Sequence, residues 1–103
     1  MENAFDYIVV GAGSGGCPVA HMLSADPKNR VLLLEAGPKD RNIWIHIPIG
    51  YYKNMTSGLS WGYATEPDPG LNGRSIIWPR GKVLGGSSSI NGLLYVRGQK
   101  EDY

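Results

Sequence analysis

Asp6-Tyr7-Ile8-Val9-Val10-Gly11-Ala12-Gly13-Ser14-Gly15-Gly16 decides the fold of this chain. An apolar run enters a Gly-x-Gly-x-x-Gly turn, and a second apolar run ends at Glu35, 19 residues after Gly16. That order of strand, glycine turn, helix, strand and acid lays a dinucleotide pyrophosphate on the start of a helix. Gly11 leaves the strand through a tight turn, Gly13 lets backbone approach the phosphates, and Gly16 seats the helix against the sheet. Unpaired amides at the helix start face the anion, with the positive end of the helix dipole behind them. Glu35 is placed to accept the ribose hydroxyls of an adenosine, and its charge disfavours a 2′-phosphate.

Working outward, residues 1–37 read as one β-α-β unit. Phe5 to Val10 suits a parallel strand covered on both faces. Between Ser14 and Ser24, Cys17, Val19, Ala20, Met22 and Leu23 supply a helix face for the sheet. Pro18 is harmless only in a first turn, so the helix starts late, near Gly16, or kinks. Asp26-Pro27 ends it, and Val31 to Leu34 is the second strand. Cys17 is expected to be a small buried filler.

From 38 to 80 the pattern changes. Proline recurs at 38, 48, 67, 69 and 79. Ile43 to Pro48 and Ser60 to Thr65 read as extended, and Asn72-Gly73 reads as a hairpin turn. The segment is an irregular excursion with little core of its own. Such loops in α/β domains usually serve function or fold against other parts of the protein.

Residues 81–103 hold a second glycine cluster, Gly81-Lys82-Val83-Leu84-Gly85-Gly86-Ser87-Ser88-Ser89-Ile90-Asn91-Gly92-Leu93-Leu94. Gly85-Gly86 permits unusual backbone angles. Ser87 and Ser88 are candidate caps of a short helix whose apolar face is Ile90, Leu93 and Leu94. Glycine totals 15 of 103 residues, about twice the usual share. Its concentration in two clusters marks backbone approaching a ligand.

Bulk properties narrow the choices. Ten Lys and Arg against nine Asp and Glu give a net charge of +1, which offers nothing to nucleic acid or an anionic membrane. One cysteine excludes an internal disulfide, and no metal cluster is expected. No stretch approaches the roughly 20 apolar residues of a membrane helix, and no leader is visible, so a cytoplasmic protein is expected.

Together the two blocks resemble the N-terminal part of a glucose–methanol–choline (GMC) family flavoprotein oxidoreductase, choline-dehydrogenase-like in flavour. The first block with Leu34-Glu35-Ala36-Gly37 matches, and the second resembles the family signature more specifically. Trp61-Gly62-Tyr63 and Thr65-Glu66-Pro67 also resemble family sequence. The resemblance implies an α/β, Rossmann-like FAD/NAD(P)-binding start with irregular loops, incomplete as a domain. It implies FAD and oxidation of an alcohol CH–OH group by hydride transfer to the flavin.

Carried over by motif, Gly11, Gly13, Ser14 and Gly16 hold the pyrophosphate, while Glu35 and Ala36 serve the adenosine ribose. Val83, Gly85, Gly86, Ser87, Asn91, Gly92, Leu93 and Leu94 line the flavin side. Arg80 and Lys82 either position that loop or are solvated charges. Some relatives attach FAD through a histidine before the motif's asparagine. Ile90 stands there in this chain, so non-covalent FAD is expected.

The family's late catalytic histidine pair has no counterpart here, and neither His21 nor His46 has a triad-like partner, so no catalytic residue is assigned. The chain is expected to be a piece of a flavoenzyme that needs the remainder for a complete fold and for its small alcohol substrate. A piece of an NAD-dependent dehydrogenase explains the first block and Glu35 equally well, but leaves 78–95 without a job. A non-catalytic nucleotide-binding module is the third reading.

Overall fold

The computed structural model describes residues 4–103. Strand β1 (Tyr7–Val10), helix α1 (Gly16–Ser24) and strand β2 (Val31–Leu34) form the expected β-α-β unit. The strands pair in parallel, with Tyr7 opposite Val31 and Val10 opposite Leu34. Asp6 ties the entry of β1 to that of β2: its carboxylate accepts the Arg30 N–H at 2.7 Å. Helix α1 begins at Gly16, so Pro18 falls in the first turn and no kink is needed.

Two expectations for this unit need correction. Cys17, Ala20 and Leu23 are half-buried, but Val19 and Met22 are 50% and 70% exposed, so the covered face of α1 is narrower than predicted. The strands are not covered on both faces either, with Ile8 59% and Val10 81% exposed. Cys17 is half-buried, and its thiol donates to the Ala12 carbonyl at 3.2 Å.

The excursion is more ordered than its proline content suggests. Ile43 to Pro48 is not extended: Ile43–His46 forms a helical turn, α2, because Asn42 caps it and its Oδ1 accepts the Trp44 N–H at 2.9 Å. A 3-10 turn, Pro48–Gly50, leads into helix α3 (Tyr51–Met55). Buried Asn54 links the two helices by donating from Nδ2 to the Trp44 carbonyl at 2.9 Å.

Strands β3 (Tyr63–Ala64) and β4 (Ile77–Trp78) pair antiparallel, so the predicted hairpin is present. Asn72 and Gly73 both take positive φ, 56° and 70°, as an Asn-Gly turn requires.

The core lies where it was not expected. Leu59, Val83 and Ile90 cluster together, with Ile45 packed against them. The excursion and the second glycine segment therefore make the core jointly. That core is small. The accessible surface is 8204 Å², against about 5,700 Å² for a compact 11.2 kDa chain. The radius of gyration is 17.4 Å, where a compact chain of this length has roughly 13 Å. No helix among the described residues is long and apolar enough to cross a membrane.

Candidate functional site

The two glycine clusters, distant in sequence, meet backbone to backbone. The Gly85 N–H donates to the Ala12 carbonyl at 2.7 Å. A Cβ on Gly86, whose φ is +59°, would lie 3.0 Å from the Gly13 Cα. The constraint falls on Gly86, since a Cβ on Gly13 would sit 4.0 Å from the Gly86 Cα, an ordinary contact. Gly16 is similarly constrained, because a Cβ there would run into the Gly11 carbonyl oxygen.

Three amides fasten the second segment to three different parts of the chain. Lys82 N–H donates to Leu59 O at 2.7 Å, Leu84 N–H to Pro38 O at 2.9 Å, and Gly85 N–H to Ala12 O. The side chain between Lys82 and Leu84, that of Val83, is fully buried. Gly37 lies so close to the Lys82-Val83 peptide that a Cβ would collide with it.

The junction opens on a cleft of about 560 Å³ lined by Val10, Gly11, Gly13, Leu34, Glu35, Ala36, Trp61, Gly81 and Gly86. Its floor is the carboxyl end of the parallel pair, where ligands bind in open α/β sheets. Glu35 has a role that spacing alone does not reveal. Its Oε2 accepts the Ala12 N–H at 2.9 Å and its Oε1 accepts the Gly37 N–H at 2.8 Å. The carboxylate thus clamps the glycine turn to the end of β2. Each oxygen keeps a lone pair for a further donor.

The structure brings Gly11, Gly13, Glu35, Ala36 and Gly86 to this one cleft. Gly16 and Gly85 shape its backbone without lining it, and Ser14 lies exposed at the turn. Val83 faces the core.

Ser87, Asn91 and Gly92 line a separate hollow of about 260 Å³. Leu93 lines another of about 200 Å³, and Leu94 is 87% exposed. The predicted helix after Ser87 and Ser88 does not form. Gly86–Ser89 is one 3-10 turn entered through Gly85 at φ 94°, with no side-chain cap.

The hydroxyls act elsewhere. Ser87 Oγ accepts the Gly81 N–H at 3.1 Å, Ser88 donates to Gly85 O at 2.6 Å, and Ser89 donates to Leu84 O at 2.8 Å. Serines that bond nearby carbonyls compete with helix continuation. Leu93 then turns out of any helix with φ 59°.

A model of the family described as GMC oxidoreductase matches residues 5–103. The chain belongs to the GMC oxidoreductase family. The GMC chain is 57% identical over 100 residues to an alcohol dehydrogenase [acceptor] from Pseudomonas putida, covering 96% of itself and 18% of that protein. It is 52% identical over 110 residues to the mitochondrial choline dehydrogenase of Homo sapiens, covering 99% of itself and 18% of the relative.

Among solved structures, pyridoxine 4-oxidase from Mesorbium loti superposes with a TM-score of 0.89 at 38% identity, over 96% of this chain and 19% of that one. An FAD-dependent oxidoreductase from Chaetomium thermophilum gives 0.74 at 33% identity, over 97% and 17%. The GMC chain thus spans about a fifth of the length of the relatives it matches.

The motifs assign no site role to four residues that line the cleft, Val10, Leu34, Trp61 and Gly81. The signal was present in the second strand-like segment, but nothing local showed that residues 60–61 lie beside 80–82. Lys82 and Arg80 prove to ride on aromatic rings, with Lys82 Nζ 4.7 Å from the Trp61 centroid and the Arg80 guanidinium 5.1 Å from that of Trp78. His46 Nε2 donates to the Asp40 carbonyl at 2.6 Å, a contact that holds a loop. No group of metal-ligating residues occurs among the described residues.

Proposed function

We propose that residues 1–103 are the N-terminal part of an FAD-binding domain, gripping the cofactor non-covalently in an oxidoreductase that acts on alcohols. The meeting of Gly13 and Gly86 over a cleft that also holds Glu35 carries the reading. Bare backbone on two sides admits a pyrophosphate closely, and the free lone pairs of Glu35 suit ribose hydroxyls. Val10, Leu34 and Ala36 supply the apolar floor.

FAD so bound supplies the hydride acceptor for a CH–OH carbon. This chain's own residues bind and orient it: Gly11, Gly13, Ser14 and Gly16 at the phosphates, Glu35 and Ala36 at the ribose. The segment from Gly85 through Gly86, Ser87, Asn91, Gly92, Leu93 and Leu94 continues toward the flavin, with Val83 anchoring it from beneath. Ile90 is 2% exposed and aliphatic, so position 90 presents no nucleophile to the cofactor.

The names of the relatives support an alcohol as the hydride donor, and the bare strand faces support further protein covering the sheet. An NAD-dependent reading leaves the Gly81–Gly86 half of the cleft without purpose.

Adding FAD to a full-length flavoenzyme that carries residues 1–103, desalting, and recording absorption and thermal unfolding tests the reading. Retained flavin absorbance with a raised Tm is the expected result. Stabilisation by NADH and not by FAD would overturn it. Bleaching of the flavin by an alcohol under anaerobic conditions tests the activity separately.

A further inference from the structure

The loop that joins β3 to β4 contains Asn72-Gly73, both exposed, with open space where a Gly73 side chain would stand. This dipeptide carries a reaction of its own. A Gly73 backbone nitrogen that loses its proton attacks the Asn72 Cγ. The N–Cγ bond forms, the Cγ–Nδ2 bond breaks, and ammonia leaves with the proton. Water then opens the cyclic imide at either carbonyl, giving aspartate or isoaspartate. Glycine hinders the attack least, because no Cβ shields its nitrogen.

The folded turn holds the two reacting atoms apart. Ring closure needs the Gly73 nitrogen to eclipse the Asn72 Cβ. With ψ at 38°, Asn72 carries that nitrogen nearly opposite its Cβ. The Gly73 N–H is also engaged, donating to the Asp68 carbonyl at 2.9 Å, which keeps its proton in place. The same carbonyl accepts the Leu71 N–H at 3.0 Å, and the Asp68 carboxylate accepts the Gly70 N–H at 2.7 Å. Asp68 thus ties down the loop.

We propose that Asn72 is a site of spontaneous deamidation gated by the hairpin, converted only when the loop held by Asp68 opens. Its rate then tracks the population of the open form. Refolding does not undo the change. It adds a negative charge to a loop that already carries Asp68, and the isoaspartyl form lengthens the backbone by a methylene. The altered element is the hairpin whose base sets Trp61 against Arg80 and Ser60 against Gly81, beside the cleft.

The test incubates a full-length flavoenzyme that carries residues 1–103 in mildly alkaline buffer, native or unfolded in urea. Peptide mapping by mass spectrometry counts aspartate and isoaspartate at position 72. Conversion is expected to be at least about ten-fold slower in the native protein. Asp68→Ala removes the side-chain cap and should speed native conversion about five-fold. Asn91-Gly92, the chain's other Asn-Gly pair, supplies the reference rate in urea.

Equal rates at Asn72 in the native and unfolded chains overturn the proposal. So does an Asn72 that stays intact in urea while Asn91 converts. Both are read on the wild-type protein, so they decide the matter even if Asp68→Ala folds poorly. An unaltered native rate in a folded Asp68→Ala protein also overturns it. None of these outcomes bears on the FAD reading.

Discussion

The turn at Gly11–Gly16 and the segment at Gly81–Gly86 bring bare backbone to the same cleft but are held there by different means. The first is local. Strand β1 pairs with β2, Gly16 tucks under the Gly11 carbonyl, and Glu35 of the adjacent strand end clamps Ala12. The second has almost no regular structure. Its shape comes from amides donated to Leu59, Pro38 and Ala12, and from Val83 plugging a small core. One segment is held within a single β-α-β unit, while the other depends on partners distributed along the chain. A disturbance in the first should therefore cost more and spread further.

Gly16→Val should be the most damaging change. A Cβ cannot occupy the space of the Gly11 carbonyl, so α1 must leave the sheet, at about 3 kcal/mol or more. Chemical denaturation and flavin content should fall together.

Gly86→Ala should cost about 2–3 kcal/mol, combining a left-handed backbone with contact against Gly13. Hydrogen exchange should speed up at the Lys82, Leu84 and Gly85 amides while those of β1 and β2 stay protected. Equal loosening of both would abolish the contrast.

Glu35→Gln should cost about 1–2 kcal/mol without any ligand. It turns one acceptor into a donor facing the Ala12 or Gly37 N–H. A carboxylate that served only the ribose would leave the ligand-free Tm unchanged.

Ser87→Ala should cost least, about 0.5–1 kcal/mol. It removes the acceptor for the Gly81 N–H at an exposed position where water substitutes. A small fall in Tm with little loss of FAD affinity is the expected measurement.

Much of this contrast was legible beforehand. Tyr7 to Val10, Gly11 to Gly16 and Val31 to Glu35 announce a β-α-β unit because two apolar runs and the glycine turn between them each show in a short window. The same local logic located the Asn72-Gly73 turn. It failed at Ile43–Pro48, where a single capping asparagine outweighed the β-branched residues. It failed again after Ser87, where hydroxyls turned back to carbonyls and the helix stopped.

By itself the sequence determined a β-α-β unit around the first glycine cluster, and a carboxylate at the end of its second strand. Only the tertiary structure decided that Gly86 rests on Gly13, that Glu35 also clamps the glycine turn, and that Trp61 shares the cleft. The reason is range. Turns and caps are settled by forces acting within a few residues, whereas these three contacts join positions more than 20 apart, and no periodicity encodes which backbones will meet.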